Sequence, residues 1–149
     1  MDLRELYQTT ILDHNKKPRN FRVPDGANRE GHGYNPLCGD DITVYVALED
    51  GVVKDIGFRG SGCAISTASA SLMTERVKGK SVEELDRIFE GFHHLVTSNA
   101  QQEASIENMG KLAVFAGVRE YPMRVKCATL AWHTVRAAIR DGNATVKTE

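Results

Sequence analysis

The spacing of hydrophobic positions changes along the chain, and each change predicts an element. Between residues 2 and 16, Leu3, Leu6, Tyr7 and Ile11 recur at helical intervals, which predicts a helix with one apolar stripe. Asp2 and Glu5 stand three apart, as in an N-terminal capping box, and Pro18 follows the expected end. Residues 19–40 are rich in Gly, Pro and Asn and read as loop, with one short strand near residues 30–35. The period then falls to two. Ile42, Val44, Val46 and Leu48 alternate with Thr43, Tyr45 and Ala47, Asp50-Gly51 supplies a tight turn, and a return strand runs from Val52 to about Arg59. A hairpin of this kind needs further strands or helices to be stable in water.

The rest of the chain reads as mostly helical. One element runs from Cys63 to about Lys78, just before Gly79. Ser81 and Glu84 form a second capping box that opens a helix to about Leu95. Residues 97–106 are polar and loop-like, residues 107–119 predict another helix, and Pro122 is expected to break it. The last helix is expected from about Lys126 to Arg140, with Leu130, Val135, Ala138 and Ile139 as its stripe and Gly142 just past its end. There is no repeat and no linker, so residues 1–149 are expected to be one domain. The order predicts an α+β fold: a small antiparallel sheet of about three strands, covered on one face by several helices.

Composition narrows the function. The chain has 149 residues, 41% of them hydrophobic, with 19 basic and 20 acidic side chains and a net charge of −1. A near-neutral chain is a poor match to nucleic acid or anionic membrane, where affinity comes from phosphate neutralisation. The longest uncharged stretch, residues 60–74, is too short and too rich in Ser, Thr and Gly to span a bilayer. Asp2, Arg4 and Glu5 occupy the place where a signal peptide would be apolar, so a cytoplasmic protein is expected. The three cysteines, Cys38, Cys63 and Cys127, are odd in number and far apart, unlike a disulfide framework.

Their settings are informative. Cys38 lies in Asn35-Pro36-Leu37-Cys38-Gly39-Asp40, where Gly39 permits a sharp turn and Asp40 can bring a carboxylate close to the sulfur. Cys63 and Cys127 are both expected at helix starts, where the helix dipole favours thiolate, and Arg124 and Lys126 add positive charge near Cys127. Three thiolates and a carboxylate suit tetrahedral zinc or the iron of a small cluster. A carboxylate is the more exchangeable ligand, which points to a site meant to open. Residue chemistry alone leaves this open against three separate buried thiols. Gly60-Ser61-Gly62 lacks the full pattern of a phosphate loop. A Cys–His hydrolase using His14, His32, His93, His94 or His133 has no local motif behind it. The small residues 66–71 read as close helix packing.

Three segments together carry a family resemblance: Asn35-Pro36-Leu37-Cys38-Gly39-Asp40, Gly60-Ser61-Gly62-Cys63-Ala64-Ile65-Ser66, and Arg124-Val125-Lys126-Cys127-Ala128-Thr129-Leu130-Ala131-Trp132. They resemble the cysteine motifs of the NifU/IscU iron–sulfur cluster assembly scaffold family. Residues 71–80 fit as well, and the likeness runs from the first helix to about Arg140. The IscU branch has His before the third cysteine, where this chain has Lys126. It also has a Leu-Pro-Pro-Val-Lys stretch where this chain has Tyr121-Pro122-Met123-Arg124-Val125-Lys126. The polar segment around residues 97–120 is similar to the insertion of the SufU branch. The resemblance implies a SufE/NifU-like fold and zinc on Cys38, Asp40, Cys63 and Cys127. It also implies sulfur acceptance on Cys38 from a PLP-dependent, SufS-type cysteine desulfurase, and handover to downstream iron–sulfur assembly proteins. The alternative within the family is a scaffold building a [2Fe–2S] cluster on the same residues. Outside it stands a plain zinc-stabilised interaction domain.

Overall fold

A computed structural model describes residues 3–101 and 107–147. Its elements run α1 (Leu3–Lys16), β1 (Arg29–Asn35), β2 (Asp40–Glu49), β3 (Val52–Ser61), α2 (Ala64–Val77) and α3 (Val82–Thr97). A run of 3₁₀ turns (Gly110–Glu120), α4 (Pro122–Asp141) and β4 (Asn143–Lys147) complete the order. Asp2, the expected first cap, residues 102–106 of the polar segment and the side chains of Leu3, Leu6 and Tyr7 lie outside what is described.

The fold is α+β, as the period changes predict. The sheet order is β3-β2-β1-β4, with β1, β2 and β3 antiparallel and β4 added parallel to β1. The fourth strand is absent from the sequence reading because Asn143-Ala144-Thr145-Val146-Lys147 is short and polar. Gly142, at φ +80°, turns the chain from α4 straight into it. Cross-strand partners share a face, so Val44 with Phe58 and Val46 with Ile56 form one fully buried surface. The opposite face keeps Thr43 and Tyr45 half-buried.

Helices α2 and α4 lie on the buried face. The small residues of α2 allow close approach, as expected. Ser69 donates its hydroxyl to the Ala128 carbonyl at 2.5 Å and accepts the Trp132 indole N–H at 3.2 Å. Trp132 stacks on Phe92 of α3 with ring centroids 4.7 Å apart, so three helices share one aromatic centre. Helix α4 also needs the two glycines of β1. A side chain on Gly31 or Gly33 would run into Thr134.

Two boundaries differ from the sequence reading. Pro122 ends no helix but starts one, since its missing N–H costs nothing at the first helical position. The segment expected as a helix over 107–119 is wound as 3₁₀ turns from Gly110. The Ser81–Glu84 capping box is present in full, with Ser81 Oγ accepting from Glu84 N–H and Glu84 from Ser81 N–H.

Candidate functional site

The ends of the three antiparallel strands build the site. Asn35 and Asp40 are register partners, so β1 and β2 are joined by the four-residue loop 36–39, which carries Cys38. At Gly39 the backbone takes φ +72°, a conformation that favours glycine, with open space around it. Strand β3 ends at Ser61, next to Asp41 of β2, and Gly62-Cys63 leads into α2. Asn35 and Asp40 are both fully buried, on the face that α4 covers with Cys127.

Ligating atoms of Cys38, Asp40 and Cys127 lie within 4.8 Å of one another. Cys63 is tied to the same group. Its backbone N–H donates to Asp40 Oδ1 at 2.8 Å, and its side chain is in hydrogen-bond contact with Cys127. Residues up to 89 positions apart in sequence thus meet at one sheet end. Cys38 and Cys63 are half-buried and Cys127 is buried. No histidine joins this group among the described residues. The histidines go elsewhere: His14 packs on Ser71, His32 on Asp41, and His93 and His133 around Phe89.

The electrostatics separate the thiols. Cys63 caps α2, accepting the Ser66 N–H on Sγ at 3.4 Å. The Cys127 thiol donating to it is the main cause that brings Cys63 down to about 7; burial opposes this and the Ser66 amide assists. Cys127 moves the other way, raised by the Cys63 thiolate, by burial, and by Cys38 and Asp40. The expectation that Cys127 sits at a helix start is therefore corrected. Because α4 begins at Pro122, Cys127 lies in its second turn, beyond the reach of the terminal dipole.

The donor set fits a cation. Asp40 Oδ1 is used by Cys63, but Asp40 Oδ2 is buried with no hydrogen-bond partner. A buried carboxylate oxygen without a donor is costly, and a metal ion is the partner that cysteine sulfurs beside it would share. A divalent ion would also remove the repulsion that holds the proton on Cys127. Of the four expected ligands the structure brings Cys38, Asp40 and Cys127 together, whereas the Cys63 sulfur stands beside Cys127 but outside that 4.8 Å group. Sequence reasoning did not single out Asn35, whose side-chain amide donates to Cys127 Sγ at 3.8 Å, or Gly62, which lies against Asp40. Both flank a cysteine motif, and that adjacency was the available signal. A cleft of about 400 Å³ beside Leu48, Leu85, Arg136 and Ile139 shares no residue with this site.

Comparison with known proteins defines the class. The model of the NifU-like N terminal domain family matches residues 6–128. The chain belongs to this family, that of the IscU and SufU iron–sulfur cluster assembly scaffolds. It is 39% identical over 143 residues to the iron–sulfur cluster assembly scaffold protein IscU of Streptococcus pyogenes serotype M1, covering 95% of this chain and 88% of that one. It is 36% identical over 138 residues to the zinc-dependent sulfurtransferase SufU of Bacillus subtilis strain 168, covering 93% and 92%. A crystal structure described as a scaffold protein for the SUF system, from Fervidobacterium islandicum AW-1, superposes with a TM-score of 0.80. Its sequence identity is 31%, with 91% of this chain and 98% of that one covered. No described helix is long and apolar enough to cross a membrane.

Proposed function

We propose that this protein is a zinc-dependent sulfur acceptor of iron–sulfur cluster assembly, with Cys38, Asp40, Cys63 and Cys127 as the metal ligands and Cys38 as the accepting thiol. The observation that carries the reading is the buried, unpartnered Asp40 Oδ2 beside converging cysteine sulfurs. Zinc, when bound, keeps the cysteines deprotonated and shielded from stray oxidation. The chain's own residues supply the rest. Cys38 is half-buried and sits on a loop that turns at Gly39, so it can reach outward. Cys63 is fixed as the cap of α2, and Cys127 is buried in α4.

The sulfur donor in this reading is the persulfide of a PLP-dependent, SufS-type cysteine desulfurase. The Cys38 thiolate attacks the outer sulfur of that persulfide, and a new sulfur–sulfur bond forms on Cys38. The donor's own sulfur–sulfur bond breaks, and its cysteine departs as thiolate. The exchange is balanced, with no net oxidation. The persulfide on Cys38 then passes to downstream assembly proteins in the cytoplasm.

A second reading, a scaffold that builds a [2Fe–2S] cluster on the same four residues, is favoured by the likeness to IscU. Zinc and iron can share such ligands. Metal and sulfide analysis of anaerobically purified protein separates the two. One zinc with no visible absorption supports the acceptor, whereas iron with acid-labile sulfide supports the scaffold. Mass spectrometry after incubation with a cysteine desulfurase and cysteine tests the transfer. An added sulfur on Cys38, absent from Cys38→Ala, is the expected result. Equal sulfur loading in that variant overturns it.

A further inference from the structure

Asn35 is a fully buried polar side chain at the closing pair of the β1–β2 hairpin, directly opposite Asp40. Its Oδ1 accepts the Leu37 backbone N–H at 3.3 Å, and its carbonyl accepts the Cys38 N–H at 3.2 Å. Because the Leu37 amide can only donate, the oxygen of the side-chain amide must face the loop. The amide orientation is thereby fixed by the network, with Nδ2 pointing at Cys127 Sγ 3.8 Å away. The other groups against this sulfur, Cys63, Cys38 and Asp40, bring acceptors or negative charge. Asn35 brings a donor.

We propose that Asn35 is a positioning residue of the sulfur site, its amide holding the Cys127 sulfur and the Cys38-bearing loop in one arrangement. The proposal rests on the metal-ligand reading above. A ligated thiolate keeps lone pairs that accept an N–H, and a buried donor aimed at them stabilises the ligated form. Outer partners of this kind typically alter metal affinity by roughly 10- to 100-fold when removed. The same side chain shapes the turn that presents Cys38. The N-terminal side of the loop is therefore anchored on the buried ligand while its C-terminal side turns at Gly39. Movement of Cys38 is thus confined to the Gly39 side, and Cys127 keeps its place.

The two roles separate by substitution. Asn35→Asp keeps an oxygen for the Leu37 N–H and loses the donor to Cys127. Asn35→Ala loses both. Full-length wild type and both variants are titrated with zinc against a chromophoric chelator, and cobalt(II) loading is followed through its thiolate-to-metal absorption. The expected result is a zinc dissociation constant raised roughly 10- to 100-fold in Asn35→Asp, with displaced cobalt bands. Direct attraction between the added carboxylate and a dication would tighten binding rather than weaken it, so a loss runs against that attraction. Asn35→Ala should add faster alkylation of Cys38 by iodoacetamide in metal-free protein, since the turn is released. Zinc affinity within twofold of wild type and unchanged cobalt bands in Asn35→Asp overturn the proposal, even where Asn35→Ala is impaired. If one variant fails to give a wild-type far-ultraviolet dichroism spectrum, the other decides by the same two measurements. A wild-type chain that takes up no zinc overturns the metal-site reading itself and the inference resting on it.

Discussion

The Cys63 backbone N–H donates to Asp40 Oδ1 at 2.8 Å, while Asp40 Oδ2 remains buried and unpartnered. One carboxylate thus fixes the start of α2 with one oxygen and offers the other to the cysteine cluster.

Asp40→Asn separates these tasks. The amide oxygen can still accept from Cys63, so the fold should persist. The anionic oxygen is lost, so zinc should bind at least about 10-fold more weakly, the size of a lost charge-assisted contact of roughly 1.5–3 kcal/mol. The metal-free variant should melt no lower than wild type, because a buried unpaired carboxylate oxygen is unfavourable. Chelator competition and a thermal melt check both halves. Unchanged zinc affinity would count against Asp40 as a ligand.

Gly62→Ala attacks the same carboxylate without touching a ligand. A Cβ there would lie 2.7 Å from Asp40 Oδ1 and 3.3 Å from its Cα and Cγ. Since the carboxylate must move, zinc affinity should fall, and the persulfide yield on Cys38 with it. Measuring both on one preparation shows whether the shift of Asp40 reaches Cys38.

Gly33→Ala tests the seat of α4. The added methyl would overlap Thr134 Oγ1 and come within 3.2 Å of Leu130. Overpacking of this kind costs about 1–3 kcal/mol. At roughly 2–4 °C per kcal/mol for a chain of this size, the melting temperature should drop by several degrees. Because α4 carries Cys127, zinc binding should weaken in parallel.

The pH dependence of stability should carry the mark of His14. It is 1% exposed, and its Nδ1 meets Ser71 Oγ at 2.7 Å. The same Ser71 Oγ accepts the Arg19 backbone N–H at 2.8 Å, so both groups are held at one buried hydroxyl. Burial lowers the His14 pKa, with Arg19 pushing the same way and Glu75 and Asp13 opposing. His133 is lowered too, by burial, then by His93 and Arg136. With folded pKa values below the ordinary 6.5, the unfolded chain takes up protons first. Stability is therefore full above about pH 6.5 and falls as pH drops toward the folded values, by at most about 1.4 kcal/mol per pH unit for each histidine. Urea unfolding at pH 7.5 and 5.5 should show this loss. His14→Gln should start lower at pH 7.5 and show a shallower acid decline.

Much of this molecule is determined locally, and that part is legible in the sequence. The two-residue period of Ile42, Val44 and Val46, the Asp50-Gly51 turn and the Ser81–Glu84 box each depend on neighbours within a few residues. The three cysteine motifs were equally visible as a family signature. Local patterns also misled. Pro122 looks like a stop, yet with the extended Tyr121 separating it from the 3₁₀ run the same ring begins a helix, and this moved Cys127 from a helix start into the second turn. Strand β4 has no apolar run of its own and exists because β1 offers it an edge.

The sequence by itself determined the α+β order, the cysteines and Asp40 as a candidate ligand set, and the family. Only the tertiary structure decided that the Cys63 and Cys127 thiols are pushed in opposite directions, that Asp40 splits its oxygens, and that Asn35 faces the Cys127 sulfur. The physical reason is that charge, burial and hydrogen bonding at this site come from the ends of β1, β2 and β3 and from α2 and α4. Long-range packing alone sets their separation.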